Sequence, residues 1–217
     1  MIKAEMFFCD WSQDNYINPN YLFIYLSTEY FEMYEFVKNF YDEYKTEDLF
    51  CNASEDQISD LIKVFGTNVD KIIDFYRYYQ PNNIPMLDSY VRLLGIDGIL
   101  MENLNGEPGK YLSRYGICVF AVTVGGNVLC IDTNDALNGD ASVVIADACF
   151  CSYNEHFDCV EIGRISKRIE DDCSGKGIVE LNYSNAKKCL TKIESLFLTF
   201  MEKLSINEYE DIEEFLE

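Results

Sequence analysis

At 217 residues with 48% hydrophobic content, the chain is long enough to fold around a substantial core and too apolar for a disordered protein. Its formal net charge of −21 disfavours direct contact with nucleic acid or an anionic membrane, and attracts cationic partners at long range. Acids far outnumber bases over 1–60 and 201–217, while the middle is closer to balance.

The opening residues, Met1 to Trp11, lack the long apolar region and small-residue cleavage site of a secretion signal, so a cytoplasmic location is expected. Aromatic and aliphatic groups then recur at Tyr30, Phe31, Tyr34, Val37, Phe40, Tyr41 and Tyr44, the spacing of an amphipathic helix over 28–44 capped by Ser27 or Thr28. Residues 1–53 thus read as an acidic, aromatic-rich helical extension. Its surplus of rings means either that the helix packs on two sides or that it forms part of a partner surface.

A capping box, Ser54 with Gln57, opens a second helix carrying Ile58, Leu61, Ile62 and Phe65, and Gly66 closes it. A third helix runs from Val69 to Tyr79 and stops before Pro81. After Ile84-Pro85 the segment MLDSYVRLL predicts a fourth, ended by Gly95.

Beyond Gly95 the period changes. Gly98–Met101, Ile117–Val124 and Val128–Asp132 read as strands, the last two joined by a tight hairpin in which Gly125 and Gly126 both take positive φ. The uncharged run from Tyr115 to Ile131 nears membrane-spanning length, but the glycines at its middle favour strand-turn-strand. Ser142–Ala148 and Cys159–Ile162 are expected to extend the sheet, and Asp171–Gly177 to form a loop. A long helix is predicted over 184–204, with Leu190, Ile193, Phe197 and Phe200 on one face, and then an acidic tail helix over 207–217. The order predicts an α+β fold: N-terminal helices, a central and mainly antiparallel strand meander with a Gly-Gly hairpin, and C-terminal helices packed on the sheet.

Three segments in this order, IPMLDSYVRLLGIDGIL (84–100), VFAVTVGGNVLCIDTND (119–135) and KIESLFLTFMEKL (192–204), together resemble the SUKH superfamily. That superfamily includes a fungal cell-wall synthesis regulator and bacterial immunity proteins paired with polymorphic toxins. The likeness covers roughly 54–204, and the domain is drawn as 54–217. It implies a non-enzymatic protein-binding module that neutralises a toxin domain, often a nuclease. The alternative it implies is an intracellular scaffold or regulatory module of the cell-wall regulator type.

Read for chemistry, the sequence offers little that points to catalysis. A single histidine, His156, removes most triad and dyad schemes. Cys149, Cys151, His156 and Cys159 are residue types that could hold zinc, but their spacing matches no common module, so no metal or cofactor is expected. The nine cysteines, odd in number and set among apolar neighbours, read as reduced thiols. Acid pairs such as Asp132 with Asp135, and Asp171 with Asp172, are expected to be mostly surface charge. The Asn105–Gly109 loop is a possible edge of a binding surface.

The expected partner is a basic protein, attracted to Glu102, Glu107, Asp132, Asp135 and Asp140 at strand ends and loops. On that reading, replacing Asp132, Asp135 and Asp140 together with Asn slows association and leaves folding nearly unaltered. The competing expectation places the contact on Tyr34 and Tyr41 of the aromatic helix.

Overall fold

A computed structural model describes residues 35–46, 48–163 and 178–216. The chain divides by its contacts into two units, Met1–Glu35 and Phe36–Glu217. The fold is α+β, as the order of segments predicts. Tyr34, the first turns of the predicted aromatic helix and the Asp171–Gly177 segment lie outside the described residues.

Helix α1 (Glu35–Tyr44) buries Phe36, Val37 and Phe40. Phe36 lies 5.7 Å from the Phe75 ring, and Phe40 lies 5.7 Å from Phe50. Residues 36–53 therefore share the core of the larger unit. Tyr41 packs edge-on to Phe50, and its hydroxyl accepts from the Phe50 N–H at 3.4 Å. Strands β1 (Phe50–Cys51) and β2 (Gln80–Pro81) pair antiparallel and bracket α2 (Glu55–Phe65) and α3 (Asp70–Tyr79). Helix α2 begins in the reciprocal capping box that Ser54 and Gln57 predict, and Gly66 ends it at φ +83°.

The segment after Pro85 departs from expectation. Residues 87–90 form a turn in which the Tyr90 N–H donates to the Leu87 carbonyl and Tyr90 sits at φ +61°, so no helix runs through it. Strand β3 (Val91–Leu93) follows, with Val91 and Leu93 buried and Arg92 exposed. Gly95 starts a helix where the sequence reading has it ending one: α4 (Ile96–Leu104) occupies the stretch read as a strand. A Cβ at Gly95 would meet the Pro81 carbonyl oxygen at 2.6 Å, so glycine is kept for close approach and not as a stop signal. The buried Gln80 accepts from the Ile96 N–H at 3.3 Å and so helps cap α4.

The central sheet runs β3-β4-β5-β6 and then a last strand, β9 (Thr191–Glu194), antiparallel throughout. Helix α5 (Gly109–Leu112) leads into β4 (Ile117–Thr123), and β5 (Val128–Leu137) and β6 (Asp140–Ala146) continue the meander. Beyond β3 the unpaired edge of β4 is completed by a side chain. The buried Asn103 amide accepts from the Val119 N–H and donates to the Val119 carbonyl, each at 2.8 Å, as a strand would. The β4–β5 hairpin forms at the two glycines, but only Gly126 takes a positive φ, +83°. Its N–H donates to the Thr123 carbonyl, and the Thr123 N–H donates to Asn127, which is a longer loop than a two-residue primed turn. Gly125 instead lies against the Glu213 carboxylate, the end of a side chain that a Cβ there would displace.

Cys159–Ile162 does not extend the sheet. As β8 it pairs with β7 (Cys151–Asn154) in a separate ribbon. The long helix predicted over 184–204 is three elements: α6 (Tyr183–Cys189), β9 (Thr191–Glu194) and α7 (Phe197–Ser205). All seven residues of β6 are buried, so its outer N–H and C=O groups need partners, and β9 supplies them. A 3-10 segment, Ile212–Leu216, ends the described chain in place of the predicted tail helix.

A bulge between Val119 and Ala121 aims Phe120 into the main core, where its ring lies 5.2 Å from Phe197 and 5.7 Å from Phe200. Phe75 and Tyr76 of α3 continue the cluster. A second cluster joins Val119, Cys130 and Val144 of the sheet to Phe150, Ile162 and Ala186. Among the described residues no helix is long and apolar enough to cross a membrane.

Candidate functional site

The second cluster ends in charge. Along β5, Val128 and Cys130 face Ala146 and Val144 of β6, and the next pair in register is Asp132 with Ser142. Helix α6 lies over this row, with Asn182 capping its start by accepting from the Asn185 N–H at 2.9 Å and Ala186 buried among the apolar side chains. Tyr183 and Lys187, four residues apart, share one face of the helix. The Tyr183 hydroxyl donates to Asp132 Oδ2 at 3.0 Å, and Lys187 Nζ donates to that hydroxyl at 3.1 Å.

Asp135 completes the network. Its carboxylate accepts from Lys187 Nζ at 3.2 Å and from Ser142 Oγ at 3.3 Å, with Lys192 Nζ at 3.6 Å. Lys192 arrives from β9, directly opposite Val144. Asp132, Asp135, Ser142, Lys187 and Lys192 line a pocket of about 570 Å³, with Leu190 and Phe215 adding apolar wall.

The ionisation states are set by the contacts. The hydrogen bond from Lys187 holds the Asp135 carboxyl below its ordinary value, and the bond to Tyr183 raises the Lys187 ammonium. Burial pushes the Tyr183 phenol up, so it stays protonated and donates to Asp132. Asp135 and Lys187 therefore stand as complementary charges at neutral pH.

The five nominated carboxylates have different roles. Asp132 is buried, with 5% of its side chain exposed, and accepts from Asn134 and Tyr183. Asp140 is buried too: its carboxylate accepts from the Ala141 N–H at 2.7 Å, the Phe197 N–H at 2.9 Å and the Leu198 N–H at 3.3 Å, capping α7 from β6. Burial raises its carboxyl pKa despite these donors. Replacing Asp132, Asp135 and Asp140 together is thus not neutral to folding, contrary to the sequence expectation, since two of the three hold structure. Glu107 is exposed and pairs with Lys110 at 2.6 Å, which lowers its carboxyl pKa. Glu102, on α4, is half-buried.

The metal candidates do not converge. Cys149 is exposed, Cys151 is buried, His156 sits exposed in the β7–β8 turn against the Phe157 ring, and Cys159 begins β8. Among the described residues no group of three His, Cys, Asp or Glu side chains could hold a metal ion. Burial pushes the Cys118 and Cys151 thiols up to about 12.

Tyr183, Lys187 and Lys192 escaped the sequence reading. The four-residue spacing of Tyr183 and Lys187 was a usable signal, whereas nothing local indicated that Asp132, 51 residues away, lies beneath them. No family model, curated protein or solved structure matches this chain.

Proposed function

We propose that the protein is a non-enzymatic binding module for a basic protein partner in the cytoplasm, of the immunity type that its likeness to the SUKH superfamily implies. The observation that carries this reading is the charge: −21 overall, with several cations spent inside the molecule. Arg77 pairs with Glu55, Lys110 with Glu107, Lys187 with Asp135 and Lys203 with Glu194. The outward field is that of the remaining carboxylates, among them the exposed Glu35, Asp42, Glu43 and Asp56 on α1 and α2. Such a field speeds encounter with a lysine- and arginine-rich surface and weakens as salt rises.

The test is capture from the native cytoplasm on the immobilised protein at low salt, with elution by rising salt, followed by association kinetics of what elutes. The expected result is a basic protein whose association rate falls steeply with ionic strength. An eluate with no basic protein, or an association rate indifferent to salt, would falsify the reading.

A further inference from the structure

The pocket beneath α6 brings the Lys187 and Lys192 ammonium groups together beside Asp132 and Asp135, on a chain whose net charge is −21. We propose that it binds a small organic anion, a carboxylate or phosphate monoester with an apolar body. Lys187 and Lys192 take the anionic group, and Val144, Leu190 and Phe215 take the body. This site is independent of the protein-binding reading and stands or falls without it.

Three features support the assignment. First, Asp132 is already engaged: its side chain is 5% exposed and its carboxylate accepts from Tyr183 and Asn134. Second, Asp135 is shared between two ammonium groups. It lies within hydrogen-bonding distance of Lys187 at 3.2 Å, but 3.6 Å from Lys192, so the Lys192 ammonium is drawn to that carboxylate without bonding it. An incoming oxygen can take up the donors that Asp135 leaves unused. Third, the pocket's volume of about 570 Å³ falls within the range of about 300–1,000 Å³ usual for small-molecule sites. Its wall pairs apolar side chains with a few convergent charges, as such sites do.

The choice of anion over cation turns on Asp135. If the pocket takes an anion, Asp135 competes with the ligand for both lysines, and its removal helps binding. If the pocket took a cation, Asp135 would be the principal ligand, and its removal would abolish binding.

The experiment is a titration of the full chain, at near-physiological salt, with benzoate, phenyl phosphate, inorganic phosphate and benzylamine, following backbone amide shifts over 187–192. Saturable shifts are expected with both aromatic anions, weaker ones with inorganic phosphate and none with benzylamine. Lys192→Gln is expected to weaken phenyl phosphate by about five-fold, the loss of one charge-assisted hydrogen bond at a partly exposed site. Asp135→Asn is expected to bind it at least as tightly as the parent. Circular dichroism of both variants confirms that they fold, since Lys192 and Asp135 are solvent-accessible on the surface. The proposal is overturned if no probe saturates by about 20 mM, a concentration that reaches even very weak complexes. It is equally overturned if Asp135→Asn weakens binding, if Lys192→Gln leaves it unchanged, or if benzylamine binds as well as the anions. Equal affinity for inorganic and phenyl phosphate removes the apolar body from the assignment and so overturns it as stated.

Discussion

Around Phe120 the molecule is held by ring against ring, and around Asp132 by hydrogen bonds aimed at single atoms. The aromatic cluster of Phe75, Tyr76, Phe120, Phe197 and Phe200 draws on burial, which is non-directional and grows with area. The network of Asp132, Tyr183, Lys187 and Asp135 draws on distance and angle, and each of its groups is worth little outside its geometry. The first kind of region carries stability. The second kind fixes where charges stand, and therefore what can be recognised.

The comparison is sharpened most by Phe197→Ala, which opens a cavity between α3, α7 and the sheet. Unfolding in urea should show a loss of about 3–5 kcal/mol. A loss below about 1 kcal/mol would mean that the cluster relaxes freely and is not the stabilising centre.

Asp140→Ala comes next, because it removes a carboxylate that accepts three backbone N–H groups and leaves the start of α7 uncapped. The expected cost is about 2 kcal/mol, read from the same denaturation. If Asp140 were only surface charge, the cost would fall within about 0.5 kcal/mol of zero.

Gly126→Val and Gly125→Val separate backbone strain from crowding at one turn. At φ +83°, Gly126 resists a β-branched residue by about 1–2 kcal/mol per residue in the left-handed region. Gly125 resists through the Glu213 carboxylate instead. The double variant Gly125→Val, Glu213→Ala should therefore lose less than the sum of its two single changes.

The smallest effect is that of Glu213→Gln. The carboxylate accepts from the Thr123 hydroxyl, the Gly125 N–H and the Asn127 amide, tying the C-terminal segment to the hairpin. The hydrogen bond from Thr123, followed by the Gly125 and Asn127 bonds, lowers its pKa from an ordinary 4.5. For a depressed carboxyl the stabilisation is present above the unfolded pKa and is lost as pH falls through the folded one. The variant should cost well under about 1 kcal/mol at neutral pH. It should also show a shallower loss of stability below its ordinary 4.5, measured as melting temperature against pH. An unchanged acid limb would mean that Glu213 is not engaged in solution.

Much of the scaffold was legible locally. The Ser54–Gln57 capping box, the apolar runs of β4 to β6 and the stop at Pro81 each have a cause within a few residues of their effect. Where the reading failed, the cause lay across the molecule. The segment 184–204 has helical spacing, yet Leu190 is extended at ψ 142° and Thr191–Glu194 joins the sheet, because the buried β6 edge had to be paired. Gly95 has the signature of a helix end, yet it starts one, because the Pro81 carbonyl comes too close for any Cβ.

The candidate site divides in the same way. Sequence by itself determined the class of fold, the excess of negative charge, and the apolar strand that leads into Asp132, which the structure extends through Asp135 to Leu137. Only the tertiary structure decided that Asp140 caps a helix, that Asp132 is buried beneath Tyr183, and that Lys187 and Lys192 meet at Asp135. Composition is a sum over residues and can be read along the chain, whereas the partner of a charge depends on which distant backbone the sheet brings within about 3 Å of it.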